Sequence, residues 1–143
     1  MNLVNKLKYF AGVLSLLMAV VWLTGCDDGG GGSGGSIGTN APASIAGTQI
    51  SHTIDTGSDP FPASGTFVLT ADASGNYTIA GVTNSSGTYI YTPITNGNTA
   101  TLELQNDTAF GNVTEQLLFD NSRTGSFSAQ SGASTMTGRF SIH

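Results

Sequence analysis

The chain has 143 residues, one cysteine, twenty glycines and only 9% charged residues, nine acidic against four basic, for a formal net charge of −5. A surface so poor in lysine and arginine has little to set against phosphates, which argues against nucleic acid or anionic lipid as electrostatic partners. A single cysteine excludes an intramolecular disulfide, and the length suits one domain with a modest core.

Lys6 and Lys8 open the chain and are followed by an apolar stretch, Tyr9 to Leu23, too short to span a bilayer comfortably. It ends in Leu23-Thr24-Gly25-Cys26, which holds the only cysteine. A basic start, an apolar middle and small residues at the end form the layout of a secretory signal; the alternative is a short membrane helix with an incidental cysteine. Leu-Thr-Gly-Cys resembles the bacterial lipobox. That resemblance implies cleavage before Cys26 and acylation of its thiol and new amino group with palmitate-like chains. It also implies a lipoprotein of the bacterial cell envelope whose remaining chain lies outside the cytoplasm, with the membrane as a partner through the lipid on Cys26. One acyl chain holds marginally, at about 0.8 kcal/mol per buried methylene, so a stable anchor needs more than one. Asp27 resembles the inner-membrane retention signal of enteric lipoproteins, a rule that varies between bacterial groups, so inner and outer membrane stay open. Loss of residues 1–25 would remove Trp22, the only tryptophan, and leave Arg123 and Arg139 against nine acidic residues, a net charge of −7.

Residues 26–44 read as the acylated cysteine and a tether. Gly29 to Ser36 holds six glycines and two serines, and Pro42 keeps the chain extended. As a flexible coil, residues 27–44 would reach roughly 20–25 Å on average.

From 45 to 143 the periodicity is two. Phe67 and Leu69 alternate with Thr66, Val68 and Thr70; Tyr89 and Tyr91 with Thr88, Ile90 and Thr92; Ala100, Leu102 and Leu104 with threonines and Glu103; Met136, Phe140 and Ile142 with Thr135, Thr137, Arg139 and Ser141. Half-buried strands produce this pattern. Turn-forming clusters separate them, among them Asn96-Gly97, which predicts a type I′ hairpin. Eight strands follow, near 47–54, 64–71, 76–82, 87–93, 98–105, 113–120, 124–130 and 135–142. Short links make them an antiparallel meander, and the class is all-β. A glycine recurs two residues before an aromatic in Gly65-Thr66-Phe67, Gly87-Thr88-Tyr89, Gly125-Ser126-Phe127 and Gly138-Arg139-Phe140, read as punctuation at strand starts.

Past Lys8 the chain has no lysine to guard a sheet edge, and its strands are rich in threonine, so closing the sheet into a barrel is favoured over a β-sandwich. An eight-stranded up-and-down barrel resembles a lipocalin or calycin, and Gly-x-aromatic is similar to the lipocalin Gly-x-Trp, although Gly65-Thr66-Phe67 lacks the tryptophan. The likeness is one of fold, and a fold carries no function by itself. Inward positions are Ile54, Phe67, Leu69, Tyr77, Ile79, Tyr89, Tyr91, Leu102, Leu104, Leu117, Phe119, Phe127, Met136, Phe140 and Ile142. So many bulky residues fill a barrel of this size.

Few residues suggest chemistry. His52 and the terminal His143 are the only histidines. His52 reads as a strand residue facing solvent, with Asp55 on the other face, so no nucleophile–base–acid set forms. Glu103 and Glu115 form a conceivable glycosidase pair without a sugar platform. The oxygen-rich runs Asp55 to Asp59 and Asp72 to Asn76 read as turns before calcium loops. No catalytic residue, metal site or cofactor is expected. Tyr77, Tyr89 and Tyr91 are the candidate lining of a ligand pocket. Two readings remain: a non-enzymatic interaction or structural module with an unidentified protein partner, or a lipocalin-like carrier of a small apolar ligand. A hydrolase comes third.

Overall fold

The computed structural model describes residues 40–143, whose eight strands close into one antiparallel barrel. The expected signal segment, Cys26 and most of the expected tether lie outside the described residues. The strands are β1 (Gln49–Gly57), β2 (Gly65–Ala71), β3 (Asn76–Gly81), β4 (Ser85–Pro93), β5 (Thr99–Asp107), β6 (Gly111–Phe119), β7 (Thr124–Ser131) and β8 (Ser134–Ile142). Each pairs with its neighbour in sequence, and β8 returns to β1 with Ile50 opposite Ile142 and His52 opposite Phe140. Closure leaves no sheet edge, so this wall needs no lysine to guard one.

Alternation along each strand sets the two faces. Val113, Glu115, Leu117 and Phe119 point inward from β6, while Thr114, Gln116 and Leu118 point out. Tyr89 and Tyr91 are half-buried at the rim of the core, not within it as their spacing suggested. The interior also holds Ile50, Ala71, Ala100, Val113 and Ala129.

The glycine–aromatic repeat has a packing role. Gly125 lies opposite Phe140 and Gly138 opposite Phe127 across the β7–β8 ladder. A Cβ on Gly125 would stand 2.9 Å from Cε1 of Phe140, and one on Gly138 would stand 2.8 Å from Cε1 of Phe127. Each glycine is therefore the seat for the other motif's ring, and Gly87 seats Tyr77 in the same way. These three inward rings fit a narrow barrel only because the facing residue has no side chain.

The β4–β5 link is not the expected type I′ turn. Asn96 has φ of 59° but Gly97 is not in the positive region, and the amide of Gly97 donates to Ile94 O at 3.0 Å. This is a four-residue turn with positive φ at its third position, which asparagine tolerates.

Two ends can be distinguished. At the first, the β2–β3, β4–β5 and β6–β7 links meet both ends of the described chain. Here residues 40–45 cross the barrel. Asn40 Nδ2 donates to Asp120 O at 3.3 Å, Tyr91 donates its hydroxyl to Pro42 O at 2.9 Å, and Ile45 is buried as a plug. Residues 40–44, expected to belong to the tether, are therefore part of the barrel's closure. The second end carries the β1–β2, β3–β4, β5–β6 and β7–β8 loops. Phe61 and Phe110 meet over it with ring centroids 5.0 Å apart.

Candidate functional site

His52 is not on the solvent face. It is 1% exposed, inside the barrel, with Ile50 and Ile54 on either side of it at inward positions. Its ring lies parallel to Phe67 at 4.3 Å between centroids and meets the edge of Phe127 at 4.9 Å. From the opposite wall Glu115, 2% exposed, brings Oε1 to 2.8 Å from His52 Nε2. His52 Nδ1 is 3.2 Å from Ile50 O. A carbonyl only accepts, so Nδ1 carries a hydrogen. The proton between Nε2 and Oε1 then belongs either to an imidazolium beside a carboxylate or to a carboxylic acid beside a neutral imidazole. Both arrangements have zero net charge, which is the condition for keeping the pair in an apolar interior.

A second buried carboxylate serves the loops. Asp107 accepts hydrogen bonds from the hydroxyls of Tyr77 and Ser85 and from the amides of Ala109 and Phe110. It reaches the interior through an irregularity in the β5–β6 register between Leu104 and Asp107, where Asn106 takes φ of 54°. Strict alternation from Leu104 would point Asp107 outward; the extra residue inverts the phase. Burial and the Asp107 carboxylate both raise the pKa of the Tyr77 phenol, so it stays a donor.

The three candidate pocket tyrosines do not meet. Tyr77 is committed to Asp107. Tyr89 donates to Asp72 O at 2.8 Å, and Tyr91 donates to Pro42 O, its phenol pushed up to about 12 by burial. None of them lines the depression at the second end. That depression lies beneath Phe61 and Phe110, between Phe67, Leu104, Val113 and Met136, with Glu115 at its floor. The centre of a water-sized molecule can move through only about 20 Å³ of it. That volume is near the minimum for one water, so the barrel is otherwise filled.

Glu103 and Glu115 stand on adjacent strands with opposite facing, one exposed and one buried, and cannot act on a single glycosidic bond. Both imidazole nitrogens of His52 are occupied by the pair and by Ile50 O, so His52 itself is not free to serve a nucleophile as base. Asp72 caps its own turn, accepting from the amides of Ser74 and Asn76 at 2.8 Å and from Asn76 Nδ2 at 3.0 Å, bonds that hold its carboxyl below the usual range. Among the described residues no group of three or more histidine, cysteine or acidic side chains could hold a metal ion.

Sequence reasoning set His52 on the solvent face, paired Glu115 with Glu103 and passed over Asp107; the His52–Glu115 pair was missed. His52 and Glu115 had a signal: each is a polar residue flanked two positions away on both sides by inward apolar residues. Comparisons with known protein families, with curated proteins and with solved structures return no match.

Proposed function

We propose that the chain is a lipid-anchored protein of the bacterial envelope whose barrel is a non-enzymatic interaction module. The observation that carries the second half is the filled interior. Inward residues from all eight strands, the Ile45 plug and the Phe61–Phe110 pair leave no lumen for an apolar cargo the length of a fatty acid. What the barrel offers is its outside. One row of uncharged polar side chains runs around six strands: Thr92 on β4, Thr101 on β5, Gln116 on β6, Ser128 on β7, Thr137 on β8 and Thr56 on β1. Thr101 donates to Gln116 Oε1 at 3.2 Å, and the Thr56 and Thr137 hydroxyls are 2.9 Å apart. Beside it, Gln116, Leu118, Ser126 and Ser128 border an outer depression of about 220 Å³. Such a wall suits hydrogen-bonded contact with another polar macromolecule. The anchor rests on Leu23-Thr24-Gly25-Cys26.

Two measurements on the full chain test this reading. Cys26→Ser is expected to leave the membrane fraction upon alkaline washing; retention of the variant would remove the anchor. Titration with a fluorescent polyene fatty acid is expected to give no saturable binding. Saturation near one probe per chain would instead favour the carrier.

A further inference from the structure

The geometry points to the depression at the second end as a binding site for a single aromatic ring bearing one hydrogen-bond donor, of the phenol class. This goes beyond the proposed role of the outer wall and needs neither the anchor nor a lumen.

Two independent observations carry it. The first is shape and lining. A pocket walled by Phe67, Leu104, Val113 and Met136 and roofed by Phe61 and Phe110 is apolar and aromatic apart from Glu115 and Thr83. Phe61 is buried and tied down, its amide donating to Ser58 O at 2.8 Å, while the amide of Ser58 donates to Thr135 O at 2.9 Å. Phe110 is only half-buried, and its backbone, not its ring, is fixed by Asp107 and by the Ser131 hydroxyl. Phe110 is therefore the half of the roof that can swing outward. With Phe110 in place the pocket holds little more than a water, so a single ring is the largest group that the movement of this one side chain makes room for.

The second is the floor. Glu115 Oε1 is taken by His52, but Oε2 has no hydrogen-bond partner among the described residues. Among the described residues no fully enclosed side-chain oxygen or nitrogen lacks a partner, so Oε2 opens onto the void that Glu115 lines. An unpartnered carboxyl oxygen on a residue only 2% exposed is a strong demand for a donor. The demand does not depend on where the shared proton sits. In the imidazolium–carboxylate form Oε2 is an anionic acceptor, and in the neutral form it is the carbonyl oxygen of the acid. The ligand must therefore bring the hydrogen. A ring with an O–H fits, whereas a second acceptor or an anion would meet Oε2 with repulsion.

The full chain in phosphatidylcholine nanodiscs provides its own reporter. Met136 lines the pocket, and the other methionines, Met1 and Met18, precede Cys26. The [13C]methyl signal of Met136, assigned by its loss in Met136→Leu, is followed on titration with phenol and separately with toluene, against free ligand concentration. Expected are a saturable shift with phenol, affinity at least tenfold weaker for toluene, and loss of the phenol response in Thr83→Trp. Thr83 is half-buried in the β3–β4 loop and lines the pocket, so the larger side chain takes the space a ring would occupy. A linear, unsaturable shift would overturn the site. So would equal affinity for toluene, which would show that Oε2 makes no demand, or an unchanged response in a folded Thr83→Trp. Should that variant fail to fold, the comparison of phenol with toluene on the native chain decides alone.

Discussion

Replacing His52 by phenylalanine removes one half of a buried pair while keeping an aromatic ring between Phe67 and Phe127. The stacking at 4.3 Å and the edge contact at 4.9 Å are therefore largely preserved, and what is lost is the partner of Glu115. A buried carboxylate left without its partner costs about 3–5 kcal/mol. A domain of this size has a total stability of about 5–15 kcal/mol, so the variant stands near the edge of folding. With a urea dependence of about 1.3 kcal/mol per molar, the unfolding midpoint falls by about 2–4 M. The companion variant is His52→Phe with Glu115→Leu, in which both polar groups give way to apolar ones. Replacing a buried pair by apolar residues of similar volume is often neutral or stabilising, so the double variant returns to within about 1 kcal/mol of the native chain or exceeds it. The assay is urea unfolding followed by far-ultraviolet circular dichroism, with Glu115→Leu completing the double-mutant cycle. A single variant as stable as the native chain, or a double variant no better than the single, would refute the account of the pair.

Gly138→Ala sets a Cβ 2.0 Å from the Thr53 carbonyl oxygen and 2.8 Å from the Phe127 ring; a loss of about 3 kcal/mol is expected, read as a lower thermal midpoint. Asp107→Asn cannot accept from two hydroxyls and two amides at once, and about 2–4 kcal/mol should be lost by urea unfolding. Burial raises the Tyr91 phenol from its ordinary 10.0 to about 12, and the Tyr77 phenol is raised as well. The share of stability from both is therefore complete below pH 10, and that of Tyr91 is lost as pH rises through about 12. Midpoints measured between pH 8 and pH 12 should fall only above 10, and Tyr91→Phe should make that fall shallower; an unchanged slope would count against it.

The strands and their order were legible because period-two alternation and turn residues are local. The observed β2 (Gly65–Ala71) and β8 (Ser134–Ile142) differ from the spans read off the chain by a single residue at one end. Closure was legible too, from a wall rich in threonine and without lysine. The glycine–aromatic repeat was visible in the sequence but not its purpose, since Gly125 and Phe140 become neighbours only through the β7–β8 register. His52 and Glu115 are 63 positions apart, and nothing local says that a histidine will find a carboxylate across a barrel. Single-residue polarity placed His52 outside, whereas strand parity placed it inside, and parity prevailed because a partner stood opposite. Asp107 was beyond parity as well, its facing inverted by one extra residue at Asn106. Sequence alone determined which residues alternate, and therefore the sheet. Which polar groups are buried together was decided only by tertiary structure, because burial of a charge depends on a partner that the register and the barrel's closure bring across the interior.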